Sequence, residues 1–113
     1  MAPTNPRITG HAFLTGMYAD GHFPDHLIDK AVAILLRLCE RVEQERPADL
    51  AALYLLTHDA TDELNDLQDE FYEAGSELET VARDLLAGDF AFVADAYGFP
   101  GADIEELVAT RDW

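Results

Sequence analysis

Between His58 and Glu73 the chain concentrates the side chains best able to do chemistry. Asp59, Asp62, Glu63, Asp66, Asp69, Glu70 and Glu73 recur at spacings of three and four. On a helix at 100° per residue this gathers them into one arc of about 120°. Asp59 and Glu63, Asp62 and Asp66, Asp66 and Glu70, and Asp69 and Glu73 are like-charge pairs four apart. Each such pair costs a helix roughly a few tenths of a kcal/mol. No base inside the segment relieves them. One reading is a solvated face, the usual fate of a charge run. The other is a face kept for use, docking a cationic surface or holding a metal.

A metal site is the sharper version of that use. If the helix reaches back to His58, then His58, Asp62, Asn65 and Asp69 line one edge at i, i+4, i+7 and i+11. An imidazole with carboxylates suits a divalent first-row metal, and carboxylates alone suit Mg²⁺ or Ca²⁺. The Glu-x-x-His pair of di-iron bundles is absent, since Ile8, Ala19, Phe23 and Leu55 stand three before the four histidines. Asp62, Glu63 and Asp66 faintly resemble the acidic Mg²⁺ motif of all-α nucleotide pyrophosphohydrolases, without the second Glu-x-x-Asp element. His22 and His26 have ligand-like spacing, but Pro24 between them marks a helix start that leaves His22 outside. Ser76 has no histidine after it to activate it and reads as a cap. There is no Gly-rich phosphate loop, Cys-x-x-Cys pair or Ser–His–Asp arrangement. No cofactor is expected, and a divalent metal enters only under this second reading.

The elements that must position these groups are helical throughout. A loose, flexible lead is expected over 1–8, where Pro3 and Pro6 oppose regular structure, followed by a single all-helical domain over 9–113. A short helix is expected over 10–18. Pro24 suits the start of a long helix at about 24–45, whose Leu27, Ile28, Ala31, Ile34, Leu35, Leu38 and Val42 share one broad apolar arc. An arc that wide predicts the central helix of the bundle. Pro47 is expected to open a shorter helix, and Asp59 to cap a separate one over about 60–73, ended by Gly75. Ser76 and Glu79 have capping-box spacing. Gly88 is expected to end the helix that follows, Asp89 to cap another, and Gly98 to stop it before a last helix from about Asp103. The fold class is all-α, a compact single-domain multi-helix bundle around the helix at 24–45.

Composition bounds the partners. The 113 residues carry a net charge of −16 with an apolar fraction of 49%, enough for one core despite the charge. From Asp59 onward there are 16 acids against Arg83 and Arg111 alone. Direct nucleic-acid binding and attraction to anionic membranes both need clustered Lys and Arg and are disfavoured. A basic protein surface, or a cation, is the partner such a field invites. The single cysteine, Cys39, lies among leucines and valine and reads as a small buried hydrophobe. With no apolar leader and no run of about 20 apolar residues, a cytoplasmic location is expected.

Several stretches together resemble a family of small bacterial proteins catalogued as domain of unknown function 5713. They are Met17, Tyr18, Ala19 and Asp20; Phe23 and Pro24; Asp29 and Lys30; Leu56, Thr57, His58, Ala60 and Thr61; and Glu63 and Asn65. They continue with Glu70 and Phe71; Gly75, Ser76, Glu77, Glu79, Thr80 and Arg83; Tyr97, Gly98 and Phe99; and Arg111, Asp112 and Trp113. The resemblance runs from about residue 13 to the end. It implies a stand-alone bacterial cytosolic domain with no activity attached. Within its motifs fall His58, Thr61, Asn65, Glu70, Glu77, Glu79, Thr80 and Arg83, a polar set where a site is expected.

The leading expectation is a non-enzymatic, protein-binding module of inhibitor, immunity or regulatory type, acting through Asp62, Glu63, Asp66, Asp69, Glu70 and Glu73. The alternative is a metal-binding protein or metal-assisted hydrolase using His58 with Asp62 or Asp69. The leading reading requires that Lys30, Arg37, Arg41 and Arg83 do not lie across the acidic ridge as its own counter-ions.

Overall fold

Two long helices joined by a short connection define the architecture. In the computed structural model, which describes residues 2–113, α3 spans Asp25–Glu45 and α4 spans Leu50–Glu73. A connection this short forces them to pack antiparallel. Around them lie α1 (Pro6–Thr9), α2 (Thr15–Ala19), α5 (Thr80–Ala96) and α6 (Ile104–Leu107), with no strand among the described residues. The all-helical bundle expected from the sequence, with the helix at 24–45 at its centre, is the observed fold.

Pro24 closes the approach to α3 as its N-cap residue, Asp25 places a carboxylate in the first turn, and the helix ends where Arg46 adopts φ 48°. Its buried face is Leu27, Ile28, Ala31, Ile34, Leu35, Leu38, Cys39 and Val42, the arc read from the sequence. Burial raises the Cys39 thiol to about 12, so it stays a neutral packing group.

α4 starts one turn after α3 ends, where the Asp49 carboxylate accepts from Ala52 N–H at 2.9 Å. It runs without a break to Glu73. The separate helices expected on either side of Asp59 are therefore one helix. Asp59 does not cap; its carboxylate accepts from Arg41 Nη1 at 2.9 Å. The threonines near it return their hydroxyls to the helix, Thr57 to Tyr54 O and Thr61 to Thr57 O, so they do not compete with its backbone pairing. Gly75, at φ 78°, ends the helix as expected. Ser76 N–H donates to Phe71 O and Gly75 N–H to Tyr72 O, the paired bonds of a left-handed C-terminal turn.

α5 is a second merger. Gly88 was expected to end one helix and Asp89 to cap the next, yet Thr80–Ala96 is continuous. Gly88 is exposed and costs about 1 kcal/mol there, which the burial of Leu86, Phe90 and Val93 on the same helix outweighs. Ser76 forms no capping box. It is buried, and its Oγ donates to His22 O at 3.1 Å, tying the entry of α3 to the exit of α4. The short helix expected over 10–18 shrinks to α2, because Leu14 takes φ 54°. That conformation costs a non-glycine residue about 1–2 kcal/mol. Burial of the Leu14 side chain and a bond from its N–H to Asp89 Oδ2 at 2.8 Å offset it.

The N-terminal lead also differs from expectation; its first residue, Met1, lies outside the described residues. Pro6 occupies the first position of α1, Asn5 caps it, and Glu43 of α3 holds the approach. The Glu43 carboxylate accepts from Thr4 N–H, Thr4 Oγ1, Asn5 N–H and the Tyr97 hydroxyl, at 2.5–3.1 Å. Burial works to raise the Glu43 pKa, but these donors outweigh it and hold the carboxyl at about 2 against an ordinary 4.5. Because the folded value lies below the unfolded one, this stabilisation is complete above pH 4.5 and is lost as pH falls toward 2. Glu43→Gln should lower unfolding free energy by about 2 kcal/mol at neutral pH. In denaturant titrations that gap should close as the pH is lowered through the same window. A gap that stays constant with pH would show that the carboxylate charge is not what holds the segment.

Candidate functional site

α4 presents four faces, each with a different neighbour. The inward face, Leu53, Leu56, Ala60, Leu64, Leu67 and Phe71, is buried. One flank, Asp59, Glu63 and Glu70, faces α3. There Arg41 Nη1 meets Asp59 at 2.9 Å, Arg37 Nη2 meets Glu63 at 2.8 Å and Lys30 Nζ meets Glu70 at 2.5 Å. Lys30, Arg37 and Arg41 are spaced seven and four residues apart along α3, and their partners run in reverse order along α4. Three members of the expected uncompensated ridge therefore have counter-ions from the same chain, so the condition on which the leading reading rested fails for the ridge as a whole and holds only for the acids outside this seam. For Glu63 and Glu70 the expectation of a free partner-binding carboxylate is corrected: they belong to the helix seam. Arg83 takes no part in it.

The opposite flank is polar rather than acidic. His58 Nε2–H donates to Glu106 O at 2.7 Å, and Thr61 Oγ1, already bonded within the helix, lies 3.4 Å from Leu107 O. Asn65 Nδ2 donates to Thr110 O while Asn65 Oδ1 accepts from Asp112 N–H, both at 3.0 Å. These residues, at i, i+3 and i+7, form a row of side chains that satisfies the backbone of the C-terminal strap over 104–112. Beyond it the Trp113 ring is buried, with the Arg111 guanidinium 6.0 Å from its centroid.

The polar set expected to converge therefore divides. His58, Thr61 and Asn65 hold the strap, while Glu70 sits on the other flank with Lys30. Glu77, Glu79, Thr80 and Arg83 lie exposed at the turn into α5, where Glu79 Oε1 is 3.9 Å from His22 Nε2. Nor do His58, Asp62 and Asp69 make a metal centre. No group of three or more His, Cys, Asp or Glu able to hold an ion occurs among the described residues. His58 Nε2 is taken up by the strap, which leaves Nδ1 as its only nitrogen with a lone pair. His22 lies outside α3, in a turn where its N–H donates to Asp20 Oδ1.

The fourth face, outward, carries Asp62, Asp66, Asp69 and Glu73. All four are exposed, and none has an ion-pair partner among the described residues. Between this face and α3 runs a groove of about 320 Å³. Ala33, Ile34 and Leu67 contribute its apolar lining, and Lys30, Arg37, Glu63, Asp66 and Glu70 its charged lining.

One cluster escaped the sequence. His11 Nε2–H donates to Asp89 Oδ1 at 2.9 Å, and its ring stacks on Phe92 with centroids 3.9 Å apart. The Arg7 guanidinium lies 5.4 Å from the centre of the same Phe92 ring and pairs with Asp95 at 2.5 Å. The partners are separated by 78 and 88 positions, so no local spacing could announce them. Their evident work is to fasten the N-terminal segment to α5.

The chain belongs to a family described as a family of unknown function, DUF5713, which it matches over residues 7–113. No curated protein and no solved structure matches it. The match contains both the polar row on α4 and the strap it holds. No helix among the described residues is long and apolar enough to cross a membrane. Asn65→Ala should cost about 1–3 kcal/mol, because it removes a donor and an acceptor at once. Amide hydrogen exchange at Asp112 should accelerate more than exchange within α3. Exchange that rises evenly over the whole chain would mean that Asn65 supports the core and not the strap.

Proposed function

We propose that the protein is a non-enzymatic binding module that docks a basic protein surface through Asp62, Asp66, Asp69 and Glu73. The carrying observation is the division of acids along α4. Asp59, Glu63 and Glu70, on the flank toward α3, each have a base; Asp62, Asp66, Asp69 and Glu73 have none, and the like-charge pairs Asp62 with Asp66 and Asp69 with Glu73 remain unrelieved. Helix formation alone gives no reason to retain them. Tyr72, directly before Glu73 and 51% exposed, adds an amphipathic ring of the kind enriched at interfaces. The net charge of −16 speeds encounter with a cationic partner and repels anionic ones. A cytoplasmic site of action suits a module whose one thiol, Cys39, is buried and unpaired.

The test separates the row from the overall field. A short arginine–alanine peptide is titrated calorimetrically, at low and physiological ionic strength, into three proteins. They are the wild type, an outer-row variant (Asp62→Asn, Asp69→Asn, Glu73→Gln) and a charge-matched control (Asp25→Asn, Asp84→Asn, Glu106→Gln). The outer-row variant should bind about tenfold more weakly, with a shallower salt dependence, and the control within about twofold of wild type. Equal losses in the two variants would reduce the acidic surface to a diffuse charge and overturn the proposal.

A further inference from the structure

The three ion pairs along the α3–α4 seam leave one position unanswered. Lys30 and Arg37 are seven residues apart, about 10 Å along the helix, and between them α3 turns Ala33 and Ile34 toward the groove. Across the groove α4 presents Glu63 and Glu70 from the flank and Asp66 from its border with the outward face, one carboxylate per turn. Arg37 takes Glu63 and Lys30 takes Glu70. Asp66, between them in the sequence, forms no ion pair among the described residues, and the groove it lines also holds Ala33 and Ile34.

We propose that this groove is the anchor pocket for a single arginine side chain of the basic partner, its guanidinium completing the charge row at Asp66. The inference rests on the binding-module reading above. An arginine fits on three counts. Its methylene stem matches the apolar lining of Ala33, Ile34 and Leu67, while its head group stays at the charged rim. Its planar fork can take the Asp66 carboxylate bidentately, the one acid of the lining that forms no ion pair. It also sheds water more readily than an ammonium group, which makes a lysine the weaker occupant. An anion is disfavoured because both bases on the rim are already engaged. A second copy of the chain brings its own net charge of −16 and is repelled.

The probe is N-acetyl-arginine N-methylamide, followed by amide NMR shifts on the intact protein, alongside its lysine and citrulline counterparts. The arginine probe should give saturable shifts at Ala33, Ile34, Asp66 and Leu67. The neutral citrulline probe should give none, and the lysine probe should bind at least about fivefold more weakly. Ala33→Leu fills the groove without altering charge, and Asp66→Asn removes the charge without filling the groove. Each should weaken arginine binding about tenfold while Asp84→Asn leaves it unchanged, with thermal melts verifying that each variant is folded. Lysine binding as tightly as arginine, or shifts spread along Asp62 and Asp69 and insensitive to Ala33→Leu, would overturn the pocket. With the arginine–alanine peptide the two readings fail separately. Weakening by the outer-row variant but not by Ala33→Leu removes the pocket and keeps the module. Weakening by Ala33→Leu, with the outer-row variant no worse than its control, keeps the pocket and removes the outer row.

Discussion

The structure depends on the antiparallel contact of α3 with α4. Its stability comes from the apolar side chains that close over each other along its length, Ile34 and Leu38 of one helix and Leu64 and Leu67 of the other among them. The ion pairs beside it are half exposed, and pairs of that kind contribute about 0–1 kcal/mol each. Their part is to set the register. Sliding α4 by one turn, about 5.4 Å, would move Glu63 and Glu70 away from Arg37 and Lys30 and would break the interdigitation of the core at the same time. Apolar packing and charge order thus select one alignment between them.

Beyond this seam the chain is tied down by hydrogen bonds to irregular backbone. At one end Glu43 gathers the N–H groups of Thr4 and Asn5, and Asp89 gathers His11 and the strained Leu14. At the other, His58, Thr61 and Asn65 receive the strap. Short helices such as α1 and α6 cannot hold themselves together in water. Side chains on the long helices supply the partners that the missing turns would have supplied. The residues that look reactive in isolation are therefore engaged in holding the fold, His58 on the strap backbone and His11 on the Asp89 carboxylate.

This is also why some of the structure could be read from the sequence and some could not. The apolar arc of α3 announced its burial, because a stripe that wide at helical period is shielded from water only when neighbours pack on several sides. Gly75 and Gly98 announced the ends of α4 and α5, because both need a positive φ. Asp59 and Gly88 misled. Both look like helix boundaries locally, but Arg41 lies 18 residues before Asp59, and the buried face of α5 carries the helix past Gly88. Pro6 misled in the opposite direction, since the residue that opposes a helix interior is favoured at its first position. For the site, the acidic arc was legible but its division was not. A wheel of α4 alone shows seven acids on one side, and only the placement of α3 reveals that three of them have partners.

The distribution of bases then explains the distribution of surplus charge. Of the seven Lys and Arg residues, Arg7, Lys30, Arg37, Arg41 and Arg111 each join an acid. The seam pairs link α3 to α4, and the Arg7 pair links the N-terminal segment to α5. The cations are placed chiefly where segments meet. What they do not reach is the outward face of α4, where no second element exists to be joined. Were the acids there only to keep the protein soluble, the neighbouring surface would serve as well, and interspersed lysines would relieve the helix of its repulsion at no cost in packing. Four carboxylates lie along the outward face of α4, beside a groove lined by both charge and hydrocarbon, and it is there that the proposed basic partner would supply the counter-ions the chain does not.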